Sequence, residues 1–203
     1  PAFIGLPQDL QGWAYDYPAA FFEQRVHRIR RQMPDTLEIA DAAALLRSAK
    51  RPVIVAGGGV QYSGAVAELT AFAENHNIPV VETIAGRANM LATHPLNTGP
   101  LGVTGSDSAN TIASKADVVL AVGTRLQDFT TGSWTVFAPD ARLIGLNAGR
   151  HDAAKHRSVT VVGDARLGLQ TLGDALGDYR APAEWTETAQ KERNLWDDYV
   201  VAN

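Results

Sequence analysis

The feature that most constrains this chain is a series of short, uninterrupted apolar runs set between amphipathic stretches. The runs are Val53–Ala56, Val80–Thr83, "DVVLAVG" from Asp117, Leu143–Leu146 and Thr160–Val162. The longer runs lack the polar alternation of a half-solvated strand, so both faces must be covered, as in a parallel sheet sheathed by helices. Between the runs, apolar residues recur at helical spacing. Asp35 with Glu38 three residues on makes a capping-box-like start ahead of Ile39, Ala42, Leu45 and Leu46. A second helix is expected from near Ser63 with Val66, Leu69 and Phe72 inward, and a third through Ala109, Ile112 and Ala113. A fourth carries Leu169, Leu172 and Leu176, with Gly177 as its stop. Strands alternating with helices through right-handed crossovers predict an α/β fold: a three-layer Rossmann-like parallel sheet with helices on both faces.

Three stretches fall outside that rhythm. Residues 7–34 are rich in Pro, aromatic and basic residues; Phe22, Val26, Ile29 and Met33 lie at helical spacing beside Arg25, Arg28, Arg30 and Arg31. A basic surface helix and a solvated linker both fit, and the bracketing Pro18 and Pro34 favour the linker. Segment 84–104, "IAGRANMLATHPLNTGPLGVT", shows little periodicity and is expected to be a functional or interface loop. The tail "PAEWTETAQKERNLWDDYV" reads as a charged helix leaving the domain. Because the chain starts at Pro1 inside what reads as a strand, it is expected to be part of a longer polypeptide or a processed product.

Composition removes several classes of function. The formal net charge of −4 over 203 residues speaks against nucleic-acid or anionic-membrane partners, and no apolar run approaches membrane-spanning length. With no cysteine, thiolate catalysis, disulfides and cysteine zinc sites are excluded. No secretory pattern opens the chain, so a cytoplasmic location is expected. The five histidines show no metal-ligand spacing, and neither a nucleophile elbow nor a P-loop lysine is present. The expected catalytic and metal-ligating residues of this segment are therefore none.

The candidate binding residues sit at strand ends. Gly57, Gly58 and Gly59 follow the first strand, where an open α/β sheet places its ligands and where a helix N-terminus favours a phosphate. The dinucleotide fingerprint wants a further glycine where Tyr62 stands, so a tight structural turn competes with a phosphate cradle. Gly123 and Arg125 repeat the arrangement in "VGTRLQD", with Arg125 able to grip a phosphate or carboxylate bidentately, or merely to form a surface ion pair. Glu82, Asn147 and Asp164 close three other strands. Glu82 could hold a ribose hydroxyl or be a solvated strand end. Polar groups converging on one sheet edge make a site hypothesis as strong as the structural alternative.

The ordered set "AKRPVIVAGGGV", "HPLNTGPLG", "ADVVLAVGTRLQD" and "VVGDA" resembles the middle domain of thiamine-diphosphate-dependent enzymes, the acetolactate synthase and pyruvate oxidase superfamily, over residues 36–177. The leading "IGLPQDLQGWAYDYPAAFFEQRVH" is similar to a branch of that superfamily that hydrolyses a cyclic dione in inositol catabolism. The resemblance implies three parts: residues 1–34 as the end of a pyrimidine-binding domain and its linker, 35–178 as a central Rossmann-like domain, and 179–203 as a linker helix toward a further domain. It implies thiamine diphosphate and Mg2+ in the full-length enzyme, held by residues outside this segment, because the family's catalytic glutamate and Gly-Asp-Gly motif are absent here. Partners are then the flanking domains and further copies in a homo-oligomer. In flavin-keeping relatives the middle domain binds FAD, which would place Gly57, Gly58, Gly59, Gly123, Arg125 and Asp164 on the cofactor. Asn147 stands where those relatives carry an acid, and Leu126-Gln127 replaces their Phe-Asp, so FAD is expected to be absent and the pocket vestigial. Alternatives from the same residues are an acetolactate-synthase-like middle domain and a self-contained FAD- or ADP-binding module.

Overall fold

The computed structural model describes residues 2–203. They divide into two units, one ending at Arg30 and one running from Arg31 to Asn203. The first unit holds two short 3-10 turns, Leu10–Gly12 and Ala19–Phe22, and otherwise irregular backbone. Its aromatic rings meet one another, Tyr15 and Tyr17 at 5.0 Å and Phe21 and Phe22 at 5.4 Å, yet all stay exposed. No helix forms over residues 24–35.

The second unit is built on six parallel strands: β1 (Pro52–Ala56), β2 (Val80–Glu82), β3 (Asn97–Pro100), β4 (Val118–Val122), β5 (Arg142–Asn147) and β6 (Val159–Val162). Their order is β3-β2-β1-β4-β5-β6, the doubly wound arrangement whose direction reverses between β1 and β4. The longer helices are α1 (Thr36–Ser48), α3 (Val66–His76), α4 (Asp107–Lys115), α7 (Ala165–Leu176) and α8 (Ala183–Ala202). Short helices α2 (Gly58–Tyr62), α5 (Asp128–Thr131) and α6 (Arg150–Ala153) follow strand ends.

Side-chain alternation along the buried strands separates two cores. Ile54, Ala56, Leu120, Val122, Ile144 and Leu146 face α1, α3 and α7. Val53, Val55, Val119, Ala121 and Leu143 face α4 and the first half of α8. From Val53 to Ala56 and from Val119 to Val122 each side chain is 2% exposed or less, and Val118 is 3%; at about 25 cal/mol per Å2 such burial is the main driving term of the fold. The expected three-layer architecture is the one observed.

The structure corrects three expectations. Segment 84–104 is not one loop: it contains a 3-10 turn (Ile84–Gly86) and edge strand β3. β3 reads "NTGP", with Thr98 as its one β-branched residue and no aromatic, and an edge position tolerates its proline. Register there is pinned by Asn97, whose amide donates to Met90 O and Leu91 O while its Oδ1 accepts from Gly99 N. Asp35 does cap α1 through the Leu37 amide, but Glu38 makes no reciprocal box. It accepts instead from the Val162 amide at 2.7 Å, tying α1 to β6, and pairs with Arg150. The tail helix α8 does not depart at once. Trp185, 5% exposed, donates to Pro52 O at 2.7 Å and Ala189 is buried, whereas Tyr199 and Val201 stand in solvent. A helix polar in composition thus docks by one indole and a few small residues.

Candidate functional site

The point where strand order reverses is where a doubly wound sheet opens a ligand crevice. Here that crevice measures about 390 Å3 and is lined by Gly58, Gly59, Gly123, Arg125 and Asn147, with Thr83, Thr124, Gln127 and Asp152 among the rest. Five of the seven expected binding residues therefore gather on one surface. Gly57 and Asp164 do not line it.

Close approach explains the glycines. The Gly57 amide donates to Val122 O and the Gly59 amide to Gly123 O, both at 2.9 Å. A Cβ on Gly57 would lie 2.4 Å from Gly123 O, and one on Gly59 would lie 2.6 Å from Gly123 Cα. Gly123 itself has φ +59°, open to glycine at little cost. The two turns are thus pressed backbone to backbone, and two of the three amides that might have met a phosphate are already spent on the protein.

The polar residues of the crevice are engaged in the same way. Asn147 donates through Nδ2 to Thr124 O at 3.0 Å and accepts through Oδ1 from Gly149 N at 3.0 Å. Arg125 donates to Gln127 Oε1 at 2.8 Å. Asp152 pairs with Lys155 at 2.6 Å, and Lys155 also donates to Arg125 O. Sequence reasoning missed Asp152 and Lys155 because α6 is a single turn with no apolar period.

Asp164 serves elsewhere. It caps α7 through the amides of Arg166 and Leu167 and pairs with Arg31 at 2.7 Å. Burial alone would raise its carboxyl, but hydrogen bonds from Arg31 and Ser63, the Leu167 amide and the Arg31 charge together hold it below the usual value of 3.8. Glu82 is 3% exposed rather than solvated; its Oε1 accepts from the Met90 amide at 3.1 Å. It opens onto a separate pocket between β2, β3 and α8.

Thiamine diphosphate with a divalent cation requires clustered oxygen ligands and a carboxylate that can promote ylid formation. Among the described residues no three His, Asp or Glu side chains come together to hold a metal ion, and the crevice's one carboxylate is neutralised by Lys155. The residues present do not fit that cofactor. No helix among the described residues is long and apolar enough to cross a membrane.

Residues 39–172 match the family model described as thiamine pyrophosphate enzyme, central domain. The chain is 49% identical over 176 residues to a 3D-(3,5/4)-trihydroxycyclohexane-1,2-dione hydrolase of Geobacillus thermodenitrificans, covering 87% of this chain and 27% of the relative. It is 40% identical over 198 residues to the protein of that name from Lacticaseibacillus casei, covering 95% of this chain and 31% of the relative. The chain therefore spans less than a third of the length of these relatives. Among solved structures, the X-ray structure of a proposed thiamin diphosphate-dependent enzyme from Mycobacterium smegmatis aligns with a TM-score of 0.63 and 25% identity, over 76% of this chain and 30% of that one.

Proposed function

The chain belongs to the thiamine pyrophosphate enzyme central-domain family, and from that premise we propose that it is the central domain of a thiamine-diphosphate-dependent hydrolase. The substrate is a trihydroxycyclohexane-dione and the bond broken is a ring C–C bond, as in inositol catabolism. The observation that carries this reading is 49% identity over 176 residues to a relative of that name, extending well beyond the shared sheet. In this reading the segment is not catalytic by itself. Flanking domains supply the carboxylate that activates the cofactor and the residues that hold its diphosphate and Mg2+, while this domain supplies a rigid layer between them. The whole protein works in the cytoplasm as a homo-oligomer.

The reading also assigns the switch-point crevice a structural role. Gly57, Gly58, Gly59, Gly123, Arg125, Asn147 and Asp164 are inherited positions of a nucleotide pocket that no longer takes FAD. What supports this is the donation of the Gly57 and Gly59 amides to the protein's own carbonyls, and the use of both ends of Asn147, Nδ2 donating to Thr124 O and Oδ1 accepting from Gly149 N.

Turnover by the purified chain tests the first part. With thiamine diphosphate, Mg2+ and the dione supplied, no ring opening is expected until the flanking domains are joined to it. Ring opening by this chain alone overturns the division of labour. Calorimetric titration with FAD or ADP tests the second. A micromolar or tighter constant, about 8 kcal/mol, would restore the crevice as a cofactor site.

A further inference from the structure

A pocket of about 740 Å3 lies between the C-terminal halves of α3 and α7 and shares no lining residue with the switch-point crevice. The buried Phe72, His76 and Leu169 line it, together with Gly173 and the exposed Asp174 and Asp178. His76 is 3% exposed, and its Nδ1 lies 2.8 Å from Tyr179 O. A carbonyl can only accept, so Nδ1 carries the proton, and in the neutral ring Nε2 is left as an acceptor. Nε2 makes no hydrogen bond among the described residues. Gly173, which shares the pocket wall, leaves that nitrogen uncovered: a Cβ there would lie 3.7 Å from it.

Three residues at this place work against the helix that carries them. Gly173 sits in the interior of α7, where alanine is the better residue, and a Cβ would meet only ordinary contacts, Phe72 Cδ2 at 3.5 Å and His76 Nε2. The backbone does not require this glycine; its effect is to keep Nε2 open. Asp174 in the last turn and Asp178 just past the Gly177 cap put negative charge at the helix's negative end. Neither makes an ion pair or hydrogen bond among the described residues.

Charge narrows the ligand. The lining holds three carboxylates, Glu68, Asp174 and Asp178, against one guanidinium, Arg180. Arg166, outside the lining, pairs with Glu68, and Arg180 donates to Asn75 O at 2.8 Å. One net negative charge remains, so a cation is favoured. A metal ion does not fit, since no three His, Asp or Glu side chains come together among the described residues. Phe72 and Leu169 offer an apolar wall for a short alkyl stem. We propose that this pocket binds a small primary alkylammonium ion, its N–H donating to His76 Nε2 and its charge facing Asp174 and Asp178. The inference goes beyond the hydrolase reading and does not rest on it.

The test titrates the 203-residue chain with n-butylamine at about pH 8, where the amine is a cation. Saturation-transfer NMR follows the probe, and proton–nitrogen correlation spectra follow the His76 ring. Saturable binding with a millimolar constant is expected, with His76 in its Nδ1–H form and the Nε2 resonance moving as the probe is added. n-Butanol and butyrate, of the same length, should not compete. Gly173→Ala sets a methyl group over Nε2 without strain, and should weaken binding about 10-fold or more, the factor expected for a hydrogen bond to a charged group. Its thermal midpoint should stay at or above that of the parent chain. Asp174→Asn, at an exposed position, should weaken binding about 3-fold, the size of a solvent-screened charge interaction. No saturable binding of n-butylamine, equal binding of n-butanol or butyrate, an unmoved Nε2 resonance, or binding unchanged by Gly173→Ala overturns the proposal. Should Gly173→Ala fail to fold, Asp174→Asn and the n-butanol comparison decide it. None of these outcomes depends on turnover, so loss of the hydrolase reading would leave the result standing.

Discussion

The centre and the flanks of the sheet's carboxyl edge use the same sequence device, a strand followed by a glycine or polar turn, to opposite ends. At the centre, the β1 and β4 turns meet through bare backbone, with Gly59 N donating to Gly123 O. At the flanks, the acting groups are carboxylates: Asp164, one glycine beyond β6, caps a helix and holds Arg31, and Glu82 at the end of β2 anchors the Met90 amide. The centre excludes side chains, whereas the flanks require them. A polar residue at a strand end is therefore evidence of a ligand only when one of its atoms is left over once the protein's own amides have been served. Asn147 has none left over.

Substitutions can break that comparison. The largest effect is expected for Gly59→Ala, whose Cβ would enter within 2.6 Å of Gly123 Cα, a contact neither backbone can relieve cheaply. Loss of about 3 kcal/mol or more is expected in urea unfolding. A stable Gly59→Ala variant would mean that the central turns are not tightly packed and that the crevice is open.

Asp164→Ala should cost about 1–2 kcal/mol through loss of the cap and of the partly buried pair with Arg31. It should also alter the acid limb of stability. The folded carboxyl titrates below its unfolded value of about 3.8, so the folded state favours the ionised form. Its contribution is present above the unfolded value and disappears as pH falls through the folded one. Unfolding midpoints of wild type and variant should therefore converge toward low pH. A constant gap across the acid range would show that the Asp164 charge contributes nothing.

The smallest effect is expected at Gly58, inside the same glycine triplet. Its Cβ would meet Ala85 O at 3.0 Å and Ala85 Cβ at 3.2 Å, contacts that a shift of a few tenths of an ångström relieves. Alanine also has the better helix propensity in α2, so Gly58→Ala should change stability by less than about 1 kcal/mol. Equal losses at Gly58 and Gly59 would dissolve the distinction between the wall of the crevice and its packed seam.

The fold was legible from residues whose periodicity expresses burial. Val53–Ala56 and Val118–Val122 are apolar throughout because both faces are covered, and such runs announce themselves. β3 was not legible, because "NTGP" is a strand by virtue of its neighbour β2 and the Asn97 bonds rather than by propensity. The candidate site was half legible. Gly58, Gly59, Gly123, Arg125 and Asn147 could be placed on one edge from topology alone, since strand ends converge wherever the sheet is parallel. The divergence of Gly57 and Asp164 from that surface was not, because it depends on distances of a few ångströms.

The sequence by itself determined the parallel layered architecture, the family to which its ordered motifs point, and the absence of cysteine chemistry. Those are properties of composition and period, which the chain carries whatever its final coordinates. Only the tertiary structure decided which strand-end groups are spent on the protein and which remain free. Hydrogen bonds are satisfied between residues far apart in the chain, Glu38 with Val162, Asn147 with Thr124 and Asp164 with Arg31, and no local pattern records that pairing.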